Sequence, residues 1–332
     1  GAGSSVIGPG INVGTWYGAD NNTLTVADGA SCYVSSGDCA LGKDQSGASP
    51  ATQSNTVHVT GAGSTLTATN SNFYISGSNS IFPVTDGGFA NLKQWSGNGT
   101  LCGTWTVIEL SDPDSELSIG TCKLGASGSI NVTNGGAFVS RGGNAYFGEG
   151  SGAEASVLVS GSGSTFSSTG APFRVASQSD ARITVADGGV FDHRELASNW
   201  GASIGFDAGE TGTVVVTGSD SVFRFTDVDD GDGVVSVGGG GVGILSIADG
   251  GLVENGHAAI GAGSGSTGTA TISGGGSVWT NTGNLTVGLS DDSSTATLAF
   301  ELDANGAGTV YVDGTMTIYP TQSYLTVDLS NY

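Results

Sequence analysis

One short sequence phrase recurs ten times along this chain and limits what it can fold into. Each copy has two apolar residues around a polar one, followed by a tight turn, and two kinds of turn alternate along the chain. The first kind is rich in Asp and Gly and begins at Val26, Val84, Val132, Val185 and Ile247. The second kind ends in Ser and begins at Val59, Leu110, Val159, Val216 and Ile272. A period of about 25 residues is typical of a repeat array, not of a globular domain.

Each repeat contains three short segments with the pattern of β-strands. The residue two positions before each turn landmark can also face a core, as Leu24, Val57 and Phe82 illustrate, and a period of two indicates a strand with one buried face. A second segment with large apolar residues follows the turn. The third segment usually ends in an apolar residue followed by glycine, at Leu41, Leu124, Phe147, Ile204, Val237, Ile260 and Val287.

The composition excludes a helical fold and favours a solenoid. Glycine occupies 60 of 332 positions, and each interior helical glycine would cost about 1 kcal/mol. Three strands in each repeat, each followed by a bend, describe one rung of an all-β parallel β-solenoid. The sequence therefore predicts about 10–12 three-stranded rungs spaced by about 4.8 Å, which form a rod roughly 50–60 Å long.

The repeat region sets the predicted domain organisation. Residues 1–23 lack the landmark and are predicted to cap the first rung, because a solenoid needs a covered end. Residues 24–294 form the repeats. Residues 295–332 contain alternating apolar residues with little glycine, so they are predicted to close the rod or to mediate subunit contacts.

The charge balance excludes several classes of partner. Thirty acidic residues oppose eight basic ones, for a net charge of −22, so the chain has no basic patch for nucleic acid or for anionic membrane surfaces. No apolar run is long enough to span a membrane. The composition suits a secreted protein, so we expect an extracellular or cell-surface location.

All four cysteines lie in the first 122 residues, at Cys32, Cys39, Cys102 and Cys122. None has the C-x-x-C spacing of a zinc site. An even number in an exported protein predicts two disulfides, and the pairing with fewest crossings joins Cys32 to Cys39 and Cys102 to Cys122. Buried free thiols are the alternative.

The alternating Ala-Asp-Gly-Gly and Gly-x-Gly-Ser turns carry a family resemblance, together with Ser277-Val-Trp279 and Asn284-Leu-Thr-Val-Gly288. They resemble the repeats of autotransporter (type V secretion) passengers and of PEP-CTERM-associated surface proteins. The ending, from Leu298 to Ser330, is similar to the segment that follows those repeats. The resemblance covers roughly residues 24–330 and implies a bacterial, exported, right-handed β-helix. The sequence departs from the family's pattern in having four cysteines, and we identify in it neither the family's membrane-translocating barrel nor its C-terminal sorting tail.

One acidic loop has the pattern of a cation site. Asp227, Asp229, Asp230 and Asp232 alternate with Val and Gly, and Ca²⁺ takes six to eight oxygen ligands from flexible loops of this kind. A calcium site and a plain solvated acidic loop both fit the pattern. No other cofactor is predicted.

The sequence gives little support for catalysis. A polysaccharide lyase needs cationic groups, whereas Lys43, Lys93 and Lys123 are the only lysines. A hydrolase needs facing carboxylates, and Asp229 or Asp230 opposite Asp207 or Asp249 would supply them. Acid, base and imidazole crowd together only at Asp192-His193-Arg194-Glu195, which is predicted to be an exposed loop.

The sequence therefore predicts a structural protein and not an enzyme: an exported rod at a bacterial surface or in a matrix, or a fibre subunit, with an adhesive role. Open edge strands at its ends predict self-association. The alternative is a protein that binds or degrades polysaccharide. For binding, a sugar-stacking platform would be formed by Tyr17, Trp95, Trp105 and Trp200.

Overall fold

The chain folds into a parallel β-solenoid of about ten complete turns, as predicted. This computed structural model describes residues 3–14, 20–36, 39–41, 54–68, 73–75, 79–92, 106–195, 201–227, 233–290, 293–319 and 322–328. Within these residues the regular structure is entirely β, with no helix. They therefore also contain no helix that is long and apolar enough to cross a membrane.

Three faces run along the solenoid, and the strands of each turn belong to faces I, II and III in that order. In the turn that contains residues 80–92, only the strands of faces I and II are described. Sheet I has twelve strands, which are β3 (Thr23–Ala27), β6 (Thr56–Thr60), β9 (Ser80–Thr85), β11 (Thr106–Ser111), β14 (Ser129–Thr133), β17 (Ala155–Ser160), β20 (Ala181–Ala186), β23 (Thr211–Thr217), β26 (Val242–Ala248), β29 (Thr267–Ser273), β32 (Thr295–Glu301) and β35 (Ser323–Asp328). Sheet II also has twelve, which are β1 (Ser5–Gly8), β4 (Ser31–Val34), β7 (Thr65–Thr67), β10 (Phe89–Leu92), β12 (Glu116–Ile119), β15 (Ala137–Arg141), β18 (Thr165–Thr169), β21 (Val190–Glu195), β24 (Val222–Asp227), β27 (Leu252–Asn255), β30 (Val278–Asn281) and β33 (Thr309–Val312).

The third face is described in two parts. A three-stranded sheet contains β2 (Asn12–Val13), β5 (Cys39–Leu41) and β8 (Phe73–Ile75). An eight-stranded sheet contains β13 (Cys122–Gly125), β16 (Ala145–Glu149), β19 (Phe173–Val175), β22 (Ala202–Ile204), β25 (Val234–Val237), β28 (His257–Ile260), β31 (Leu285–Val287) and β34 (Met316–Ile318). We call these two sheets together sheet III.

Every second residue of a strand points into one narrow core, and equivalent residues of successive turns stack on each other. On sheet II the rings of Phe138, Phe166 and Phe191 stack with centroids 4.4 Å apart. Phe223 continues this ladder at 5.2 Å. Trp279 lies on the same inward ladder and is fully buried. The core is therefore one continuous column.

The two kinds of turn differ in backbone conformation, and both connect sheet I to sheet II. In the first kind two consecutive residues have positive φ, as at Asp187 (53°) and Gly188 (82°), which is the pattern of a two-residue type I′ turn. In the second kind one residue separates the two residues with positive φ, as at Gly161 (93°) and Gly163 (83°). The second kind is also longer by one residue between the strands that it connects.

The turns alternate because each kind satisfies polar groups of the other. In the first kind of turn the glycine N–H donates 3.0 Å hydrogen bonds to the serine Oγ of the next turn, in the pairs Gly29–Ser64, Gly87–Ser115, Gly135–Ser164, Gly188–Ser221 and Gly250–Ser277. At the following boundary a hydroxyl donates at 2.9 Å to the aspartate of the next first-kind turn, in the pairs Thr60–Asp86, Ser160–Asp187 and Thr217–Asp249. The structural repeat is therefore a pair of turns.

Both terminal regions continue the same sheets. Strands β1 and β2 pair in parallel with β4 and β5, and β32 to β35 extend the three faces at the other end. The described residues of 1–23 and 295–332 thus supply rungs of the solenoid. Their separation as a cap and a closing segment stays a prediction.

Candidate functional site

The predicted exposed loop at Asp192–Glu195 is instead the second half of strand β21. Its alternation places His193 and Glu195 in the core, with relative exposures of 0% and 2%, while Arg194 faces solvent. The expectation of an exposed loop was therefore wrong. The physical reason is that β21 extends the phenylalanine ladder from Phe191, so every second residue after it must also point inward.

His193 is held between aromatic rings. Its ring stacks on Phe225 at 5.1 Å and lies against Phe173 at 4.8 Å. Nδ1 shares a 2.6 Å hydrogen bond with the Ser168 hydroxyl, whereas Nε2 makes no hydrogen bond of acceptable geometry within the described part of the chain. Burial lowers the pKa of His193 to about 4, against a smaller opposite effect of the Gly170 backbone. The imidazole is therefore neutral at physiological pH.

Glu195 lies where sheet II turns towards sheet III. One of its carboxylate oxygens accepts a hydrogen bond of 2.9 Å from the Gly201 N–H. The backbone register places Asp227 of the next turn directly above Glu195. The Ser168–His193–Glu195 grouping has residue types used in nucleophilic catalysis, but all three side chains are closed off from solvent. It is a polar part of the core.

The same inward column contains further polar side chains that the sequence did not reveal. Asn255 donates through Nδ2 to Asn281 Oδ1 at 2.8 Å and accepts from Trp279 Nε1 at 2.7 Å. Ser140, two turns before His193, donates to the Gly120 carbonyl at 2.8 Å. The sequence contained a signal for their inward position, because each lies two residues after an inward aromatic or aliphatic residue. Because the side chains are polar, composition alone indicated exposure to solvent.

The predicted calcium loop lies mostly outside the described residues. Asp229, Asp230 and Asp232 are not described, and for Asp227 only the backbone is described, at the end of β24. Among the described residues no group of three His, Cys, Asp or Glu side chains is placed to hold a metal ion. Calcium binding at this loop stays a prediction.

Of the facing carboxylates expected of a hydrolase, the structure describes Asp207 and Asp249. Asp207 follows β22 at the corner between sheets III and I, whereas Asp249 lies in a turn between sheets I and II. Asp229 and Asp230 are outside the described residues. The carboxylate pairs that the sequence suggested therefore stay a prediction.

The cysteines that the structure describes are buried in the core. Cys32 lies in β4 and Cys122 in β13, both as free thiols, so neither predicted disulfide is shown. Cys102 is outside the described residues, and Cys39 is buried in β5. Burial raises the pKa of both Cys32 and Cys122 above that of an ordinary thiol. The two disulfides stay a prediction.

The predicted sugar platform cannot be placed, because Tyr17, Trp95, Trp105 and Trp200 all lie outside the described residues. A different aromatic arrangement is present on the outer face of sheet III. Arg174 sits 3.7 Å from the Phe206 ring centre and 4.9 Å from that of Tyr146. Lys123 lies 5.1 Å from the same tyrosine and pairs with Glu149 at 3.2 Å. These cations are already engaged by their neighbours.

Comparisons with known proteins do not establish a family for this chain. No protein-family model matches the chain, and no curated protein matches it. A solved structure of a TibC-catalysed, hyper-glycosylated TibA fragment is similar, with 17% identity, 97% of each chain covered and a TM-score of 0.42. At this level of similarity the match decides nothing about function.

Proposed function

We propose that this chain is an exported bacterial structural protein, a rod at the cell surface or in an extracellular matrix, with an adhesive role. The observation that carries the proposal is the continuous stacking of strands along the solenoid. Strand follows strand in register along sheets I and II from one end to the other, and the inward side chains form one core. A fold of this kind spans distance and presents long flat faces.

The distribution of chemical groups supports the same function. The one crowded acid–base cluster of the sequence is split, because His193 and Glu195 lie inside the core. In the turns, Asp86 and Asp187 accept hydrogen bonds from hydroxyl groups of the preceding rung. An enzyme would need accessible groups that converge on one substrate. The described surface instead carries repeated Ser, Thr and Asp side chains at equivalent positions of successive turns.

The location can be tested on native cells. Antibodies raised against the purified chain should label the outer cell surface or extracellular material in immunogold electron microscopy, and cells lacking the protein should lose the label. Label confined to the cell interior would contradict the proposal. Incubation of the chain with acidic polysaccharides should release no reducing ends and no unsaturated products, and release that survives repurification would favour the enzyme.

A further inference from the structure

The two ends of the solenoid have unusual surfaces. Ten large hydrophobic side chains of the described residues are exposed, and all but Tyr33 and Val234 lie on β1 or on β33, β34 and β35. Val6 is 63% exposed at one end, and Leu325 and Val327 are 54% and 66% exposed at the other. Their stacking partners one turn inwards are Cys32 and Leu298, which are buried, and Phe300, which is half-buried. Val6, Leu325 and Val327 are therefore inner-ladder positions without a second neighbour. Ile7, Tyr311 and Tyr324, by contrast, stand at outward-facing positions of the same strands.

The end formed by β1 to β3 contains a cavity of about 340 Å³. Apolar side chains of Val6, Ile11, Leu24, Val26 and Cys32 line it. The cavity exists because sheet II begins with β1 but sheet I begins only with β3, so no described strand lies below β3. The lower edge of β3 is an open parallel edge of the kind that accepts another strand.

The other end supplies the missing strand. The last described strand, β35, belongs to sheet I and carries Leu325 and Val327 on its inward face, in register with Leu298 and Phe300. The next strand of the spiral would belong to sheet II, which is the sheet of β1. A second copy placed on this end would therefore set its β1, β2 and β3 on β33, β34 and β35, with no strand duplicated or omitted.

We infer that the end formed by β33 to β35 binds the end formed by β1 to β3 of a second copy of this chain. In this arrangement Leu325 and Val327 enter the cavity below Leu24 and Val26, and Val6 continues the ladder above Val310. The contact is heterologous, so it propagates into filaments. The inference rests on the proposed function, since a structural rod gains length by joining copies end to end.

The size of the contact indicates reversible association. Strands of two to six residues at about 3.3 Å per residue are about 7–20 Å long, so a face bounded by three of them is small and the contact falls below the roughly 1,200 Å² of standard specific interfaces. One residue loosens the fit. Ala30 occupies the position of Gly88 and Gly189, where a Cβ would lie 2.5 Å and 2.4 Å from a carbonyl oxygen of the strand below. The Ala30 methyl would meet the Val327 carbonyl of the copy in the same way.

Sedimentation velocity of the full chain tests this contact. The mass distribution is expected to shift from monomer to dimer and longer species between about 1 and 300 µM, the range of a weak specific complex. Val327→Asp and Val6→Asp should each raise the apparent Kd by about tenfold or more. Val234→Asp is the matched control, because Val234 is exposed but lies in the middle of the rod, and it should leave association unchanged. Circular dichroism and the thermal midpoint verify that each variant folds.

A mixture of the two blocked variants gives the sharpest result. The Val6→Asp chain keeps an intact β33–β35 end, and the Val327→Asp chain keeps an intact β1–β3 end. Mixed together they should form dimers but no longer species, whereas each alone should stay monomeric. Ala30→Gly should strengthen association of the otherwise unchanged chain by removing the methyl group.

Several outcomes would overturn the inference. A chain that stays monomeric over the whole concentration range would do so, as would association that both end variants leave intact. Weakening by Val234→Asp equal to that of Val327→Asp would point to a lateral contact instead. None of these results bears on the cell-surface label, so the proposed function and the end-to-end contact can fail separately.

Discussion

The middle and the ends of this solenoid are built from the same ladders but differ in what covers them. Phe166 and Phe191 have neighbours above and below and are fully buried, whereas Val6 and Val327 have a neighbour on one side and are mostly exposed. In a quasi-one-dimensional protein the stability of each rung comes from its two interfaces. The middle therefore supplies rigidity, whereas the ends keep apolar surface that no second rung covers.

The largest expected difference between the two regions concerns the core ladder. Phe191→Ala removes the ring between Phe166 and Phe223 and should lower the free energy of unfolding by about 3–5 kcal/mol, because it opens a cavity in a closely packed column. Leu325→Ala at the same kind of position on the last rung should cost less than about 1 kcal/mol. Urea denaturation of both variants measures the two values, and equal losses would remove the distinction.

Acid should weaken the middle through His193. Its pKa is lowered from 6.5 to about 4 in the folded state. Its contribution to the free energy of unfolding is therefore fully present above pH 6.5 and is lost as the pH falls towards 4. The loss amounts to about 3 kcal/mol at most. His193→Phe, which keeps an aromatic ring in the ladder, should show a smaller drop in unfolding free energy between pH 7 and 4.5. If the wild type and the variant lose the same amount, His193 is not the sensor.

In the middle of the solenoid, the last glycine of a first-kind turn lies too close to the strand below to be replaced by alanine. At the β1–β3 end this restriction should be absent. Gly189→Ala would place a Cβ 2.4 Å from the Val159 carbonyl oxygen and should cost about 2 kcal/mol, because backbone must shift. Position 30 already holds alanine, where no described strand lies below. Ala30→Gly should therefore change the stability of the monomer by about 1 kcal/mol or less. Thermal unfolding at low protein concentration compares them, and a harmless Gly189→Ala would contradict the proposed stacking of turns.

The smallest effect concerns the bonds that couple alternate turns. Ser164→Ala leaves the Gly135 N–H without its acceptor and should lower the unfolding free energy by about 1 kcal/mol. Ser167→Ala, on the outward face of β18, is the matched control and should be nearly neutral. Indistinguishable unfolding curves for the two variants would show that the serine contributes nothing to the alternation.

Much of the fold can be predicted from the sequence, because the same pattern recurs in each rung and so identifies the equivalent positions of the next rung. Landmarks such as Val159 and Val185 define inward positions, and the glycine after Ile204 or Val237 marks the third strand. The candidate site was harder to predict. The charges of Asp192–Glu195 predicted exposure to solvent. The period-two alternation that starts at Phe191 instead places His193 and Glu195 in the core, and this is what the structure shows. A buried histidine between two phenylalanine rings depends on contacts across turns, which local composition does not contain.

Hydrogen exchange at two protein concentrations tests whether a rigid middle joins two association faces. Amides of β14 to β29 should be strongly protected at both concentrations. Amides of β3 and β35 should exchange quickly in dilute protein and become protected in concentrated protein, because a second copy pairs with their free edges. Exchange at β3 and β35 that does not depend on concentration, or a middle that exchanges as fast as the ends, would contradict the account.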